Sequence, residues 1–104
     1  VVLGDRFGAA ASAGVVERIE AAFAAAGLRV ARNMPFAGAY VTQHYGRPSR
    51  RQHAVQIEID RALYMNEGTV EPSAGFGAFR RLLAGVIAEL AEIGRPGEVR
   101  VAAE

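Results

Sequence analysis

The chain predicts an α/β fold, a mixed sheet with helices packed on it, and three observations carry that prediction. Apolar residues recur at helical spacing over 15–26 and again over 76–93. Short β-branched runs, bounded by glycine, proline and polar clusters, lie before and between those stretches. With 104 residues, 51% of them hydrophobic and 22% charged, the chain is too apolar for a disordered segment and sized for one core. The expected organisation is a single α/β domain over 1–104.

The chain opens on Val1-Val2-Leu3-Gly4, the inside of a strand without an initiator methionine or polar lead-in. The expectation is the C-terminal portion of a longer protein, with an apolar strand edge left to pair with a missing N-terminal half or with a second copy. Ser12 stands as a helix N-cap, Val15, Val16, Ile19, Ala22, Phe23 and Ala26 form the apolar stripe, and Gly27 supplies the stop. Leu28 and Val30 suggest a strand to about Ala31, the loop NMPFAG at 33–38 breaks it, and a further strand is expected over 40–44.

The polar run YGRPSRRQ is a surface or site loop leading into HAVQIEIDRALYM at 53–65. A strand there turns Val55, Ile57 and Ile59 to a core and leaves Gln56 and Glu58 together on the opposite face. A helical turn over 62–65 follows. From Ser73 onward, Phe76, Phe79, Leu82, Leu83, Val86, Ile87, Leu90 and Ile93 mark an amphipathic helix ended by Gly94 and Pro96, and 99–101 suggests a last short strand.

Composition removes whole classes of chemistry. The absence of cysteine excludes disulfides, thiolate metal sites and cysteine nucleophiles. All twelve basic residues are arginine, which excludes a Schiff-base lysine. A net charge of +1 supplies no field for bulk binding of nucleic acid. No apolar run approaches the ~20 residues that span a bilayer, and no signal peptide is visible, so a soluble, cytoplasmic protein is expected.

Glu58 is the sharpest candidate. A carboxylate among branched aliphatic residues must be hydrogen-bonded, ion-paired, metal-associated or functional, because an unpaired charge in low dielectric costs several kcal/mol. Arg61 stands three residues on, so a structural Glu58–Arg61 pair in a non-catalytic binding module competes evenly with a general acid/base role. His44 and His53 are the only histidines, and with Glu58 they are of the right types for a two-His-one-carboxylate site, but no spacing holds two of them on one helix or turn. Hydrogen bonding of the histidines to loop backbone is the plainer reading.

Arg47, Arg50 and Arg51 make either a solvated loop or a guanidinium clamp for a carboxylate-bearing ligand. In NMPFAGAY, Asn33 and Tyr40 either build a turn or present neutral polar groups to a ligand. GDRFG matches no phosphate-binding motif, and Asp5 with Arg6 reads as a local surface pair. Phe76 and Phe79 are core positions by spacing, and no Ser-His-Asp arrangement is readable.

Together, LGDRFG at 3–8, NMPFAGAYVTQHYGRP at 33–48 and HAVQIEIDRALYMNE at 53–67 resemble, in the same order, the C-terminal half of N-formylglutamate amidohydrolases. The resemblance implies a partial zinc-carboxypeptidase-like fold and the hydrolysis of N-formyl-L-glutamate, a small N-acyl amino acid, to formate and L-glutamate in histidine degradation. It matches Glu58 to the carboxylate that shuttles the proton and makes Asn33, Tyr40, His44, Arg47 and Arg61 the substrate-binding positions, with Arg61 alternatively holding Glu58. It also implies zinc, held by histidines in His-Ser-Gly and Asp-x-His-Ser segments upstream of LGDRFG. Neither segment occurs in these 104 residues, so the isolated chain is expected to be inactive.

Overall fold

The computed structural model describes residues 1–95, and the strand expected over 99–101 lies outside the described residues. Residues Val2–Gly4 form β1, and Leu3 at its centre is fully buried. A loop leads to α1, Ala13–Ala25, which buries Val16, Ile19 and Phe23 along one side, as the helical spacing requires. Ser12 holds the N-cap position without a side-chain cap bond, and its peptide oxygen accepts from Val16 N at 3.2 Å. Gly27, at φ 85°, closes the helix.

The strand expected up to Ala31 shrinks to β2, Ala31–Arg32, after an irregular approach. It pairs in parallel with β1, while β3, Gln56–Glu58, pairs antiparallel on the other side of β1. The sheet is therefore mixed, in the order β2-β1-β3. This corrects the expected apolar edge at the start of the chain: β1 is the central strand, and the edges of this sheet are β2 and β3. With Leu3 opposite Ile57, and Val55 and Ile57 packed on the core, the helix-covered face is continuous across both strands.

The expected strand over 40–44 is instead a helix, α2, Tyr40–Tyr45. Its β-branched residues favour a strand only on a pleated, half-buried surface. Here Thr42 is turned inward at 2% exposure, and its Oγ1 donates back to Ala39 O at 2.9 Å, which suits one helical turn. A 3-10 turn at Pro48–Arg50 and a second at Arg61–Leu63, capped by Asp60 accepting from Ala62 N at 3.0 Å, flank β3.

A small hairpin follows that the sequence does not predict: β4, Met65–Asn66, pairs antiparallel with β5, Glu71–Pro72. Its turn is organised by Asn66 Oδ1, which accepts from Gly68 N and Thr69 N at 3.0 and 3.2 Å. Two residues per strand leave too little hydrophobic alternation to detect.

The last helix, α3, spans Phe76–Leu90 and buries Val86 against α1, with Leu82, Leu83 and Leu90 partly covered. Phe76 and Phe79, expected in the core, lie outside it. They pack on Tyr64, with ring centroids 6.1 and 5.8 Å away, and with Ile59 and Ile87 they line an apolar groove of about 400 Å³. Ile59, past the end of β3, likewise serves that groove rather than the core.

Helices α1 and α3 thus cover one face of the sheet, and the Ala37–Gly38 peptide lies against the other. A Cβ on Gly4 would stand 2.6 Å from the carbonyl carbon of Ala37 and 2.7 Å from the nitrogen of Gly38, which is backbone that cannot swing aside. Gly4→Ala is expected to destabilise the chain by about 3 kcal/mol in urea unfolding. Gly14→Ala, in helical backbone with no atom within 4 Å of the new Cβ, is expected to stabilise it by roughly 0.5–1 kcal/mol.

Candidate functional site

Three segments far apart in sequence meet at the loop-covered face of the sheet. The end of β1 runs into a bend in which Arg6 and Phe7 both take left-handed backbone, φ 55°. Asn33, following β2, is also left-handed at φ 63°, a conformation that asparagine tolerates better than most residues. Its peptide N–H donates to Leu3 O at 2.8 Å. Its side-chain Nδ2 donates to Asp5 Oδ1 at 2.8 Å, while its Oδ1 accepts from Asp5 N at 3.1 Å and Phe7 N at 3.4 Å.

Asp5 and Asn33 are 6% and 8% exposed, so this clasp is nearly out of water. The expected Asp5–Arg6 surface pair is corrected accordingly: Asp5 is buried against Asn33. Arg6 turns away, its backbone N–H on Ala37 O at 2.8 Å and its guanidinium on Gly38 O at 3.4 Å. Asn33, expected to face a ligand, has its amide committed to this clasp.

Glu58 occupies the face of β3 that the alternation assigns it. It is half-buried, and its Oε1 accepts from Gln56 Nε2 at 2.7 Å. Gln56 in turn accepts, through Oε1, from Ala39 N at 3.0 Å. A two-step hydrogen-bonded link therefore ties the carboxylate to the residue that opens α2. Arg61 does not pair with Glu58 but lies 3.5 Å from Glu67, both side chains being well exposed. The structural Glu58–Arg61 pair is thereby excluded. The 3-10 turn at Arg61–Leu63 carries the guanidinium toward the β4–β5 hairpin.

Helix α2 presents Tyr40 and His44, one turn apart, with stacked rings 5.1 Å apart and an interplanar angle of 11°. Tyr45 meets His44 edge-on at 4.6 Å. Arg47 follows α2, its Nη1 donating to Gln43 O at 3.1 Å and Gly46 O at 2.7 Å. Gly46 carries no side chain because a Cβ there would lie 2.6 Å from Ala10 Cα.

His53 stands apart from His44: its Nδ1 accepts from Ser12 N at 3.1 Å, the loop-backbone role considered above. Among the described residues, no group of three or more histidine, aspartate or glutamate side chains could hold a metal ion, so the His44, His53 and Glu58 combination is not assembled. No helix among the described residues is long and apolar enough to cross a membrane.

Asn33, Tyr40, His44, Arg47 and Glu58 thus all belong to segments joined through the 37–39 turn, and Arg61 lies outside them. Gln56 and Asp5 were undervalued in the sequence. The alternation placed Gln56 beside Glu58, but nothing local marked Asp5, whose partner is 28 positions away.

Comparison with known proteins matches residues 1–65 to the family described as N-formylglutamate amidohydrolase. An N-formylglutamate deformylase of Pseudomonas aeruginosa is 41% identical over 66 residues, covering 62% of this chain and 25% of that protein. The Pseudomonas putida N-formylglutamate deformylase is 38% identical over 66 residues, with the same coverage of both chains. The crystal structure of N-formylglutamate amidohydrolase from Ralstonia eutropha superposes with a TM-score of 0.76 at 40% identity, over 86% of this chain and 31% of that one. The matched region therefore amounts to about a quarter of the curated relatives' length.

Removing the Asn33 amide strands a buried carboxylate and two peptide N–H groups. Asn33→Ala is expected to cost about 3 kcal/mol by urea denaturation. Asn33→Gly, which accepts the left-handed backbone, is expected to recover less than ~1 kcal/mol of that loss, separating the hydrogen bonds from the backbone strain.

Proposed function

The chain belongs to the N-formylglutamate amidohydrolase family, and from that premise we propose that it carries the proton-transfer and substrate-holding side of an enzyme that hydrolyses N-formyl-L-glutamate to formate and L-glutamate. The observation that carries this reading is Glu58: a half-buried carboxylate, bonded to Gln56 and left unpaired by Arg61, on the face of the sheet where the family's three segments meet. A carboxylate that accepts from one neutral amide keeps lone pairs open to a further donor such as a water.

In the proposed reaction, Glu58 accepts a proton from the water whose oxygen attacks the formyl carbon. It returns that proton to the amide nitrogen as the C–N bond breaks, so the products are formate and the free amine of glutamate. Gln56 orients the carboxylate through Oε1 and is itself fixed by Ala39 N. Tyr40, His44 and Arg47 are the proposed substrate contacts, all three on or just after α2.

The zinc implied by the resemblance finds no ligand set among the described residues. Its ligands are proposed to lie in parts of the longer relatives that this chain does not match, together with the rest of a zinc-carboxypeptidase-like fold. The chain alone is accordingly proposed to be inactive, and the complete enzyme to act in the cytoplasm.

In a full-length enzyme containing this segment, Glu58→Gln is expected to lower kcat by about 10²–10⁴-fold, with KM and the unfolding temperature little changed, in a formate-release assay. Near-normal turnover of that variant would remove the assignment.

A further inference from the structure

Beside α2 lies a cleft of about 370 Å³ whose lining includes Arg6, Thr42, Gln43, Arg47 and Ser49 and, among the described residues, contains no aspartate or glutamate. That volume falls within the ~300–1,000 Å³ of small-molecule sites. Two arginines line it, one from the bend after β1 and one from the loop after α2, 41 positions apart in the chain. Among the described residues, both donate to peptide oxygens and neither meets a carboxylate: Arg6 to Gly38 O, Arg47 to Gln43 O and Gly46 O.

Each guanidinium has five N–H donors in a planar fork, so these neutral acceptors position the groups without exhausting them. The supports are firm. Arg6 is held in left-handed backbone by its N–H bond to Ala37 O, and Arg47 exchanges backbone hydrogen bonds with Gln52 at 2.6 and 3.1 Å. Two like charges at one cleft repel each other unless an anion lies between them.

We propose that Arg6 and Arg47 together form a carboxylate clamp, with Arg6 a specificity-determining residue that fixes one carboxylate of a small dicarboxylic amino-acid derivative. The identity of the ligand rests on the function proposed above. The clamp itself rests on the cleft and its two uncompensated cations. Its placement suits that function, because the Gly38 oxygen that holds Arg6 and the Ala39 N–H that holds Gln56 belong to the same peptide unit. One rigid group thus relates the carboxylate-binding cation to Glu58.

The test is a titration of the 104-residue chain with glutarate at fixed ionic strength, followed through the arginine Nε–H resonances. Glutaramide serves as the neutral isostere. Saturable shifts at Arg6 and Arg47 are expected with glutarate and none with glutaramide. Arg6→Gln and Arg47→Gln should each weaken binding ~tenfold or more, and Arg29→Gln should leave it unchanged.

Absence of a saturable shift, or equal weakening by Arg29→Gln, would overturn the clamp. Should Arg6→Gln fail to fold, Arg47→Gln decides the matter, since its bonds to Gln52 come from the backbone alone. Because the readout is binding, a full-length enzyme that proves inactive on N-formylglutamate leaves the clamp standing. Conversely, an active enzyme whose KM is unchanged by Arg6→Gln refutes the clamp and leaves the proposed reaction intact.

Discussion

A buried carboxylate must find donors, and in this chain Asp5 finds them in the side chain of Asn33. The reciprocal bonds between these residues join the end of β1 to the start of the 33–38 loop, and the rest of the site follows from that junction. With the loop anchored at Asn33, Ala37 reaches the backbone of Arg6, and the next peptide comes close enough to Gly4 to exclude any side chain there. Ala39 then opens α2 at a point where its N–H meets Gln56. Gly4 and Gly46 are thus steric conditions for a packed arrangement of backbone on backbone.

The sheet divides its labour by face. Leu3, Val55 and Ile57 bind the strands to α1 and α3 through apolar contact, which is non-directional and tolerates drift. The opposite face is held by hydrogen bonds, whose geometry does not tolerate drift. Glu58, one residue from the core-facing Ile57, is placed from both sides: a strand behind and an amide partner alongside. The aromatic groove of Tyr64, Phe76 and Phe79 lies past the end of β3, associated with α3 rather than with the 37–39 turn.

The chain is a member of the N-formylglutamate amidohydrolase family. The family match, residues 1–65, contains β1, α1, β2, α2 and β3 and therefore every residue assigned to the site. Helix α3 lies beyond that match and contributes through Val86, by closing the core under the sheet.

Much of this was legible in the sequence. The period of 3.6 located α1 and its buried Val16, Ile19 and Phe23, and the period of 2 set Gln56 and Glu58 on one face with Val55 and Ile57 on the other, because side-chain direction along one element is a local property. The three motifs announced the family. What only the tertiary structure decided was that 40–44 coils rather than extends, that Arg61 turns to Glu67 instead of Glu58, and, through partners distant in the chain, that Asp5 is buried and that Arg6 and Arg47 share a cleft. Neither a residue type nor its neighbours encode which group a side chain will meet after 28 or 41 further positions, since that choice is made by packing the whole chain at once.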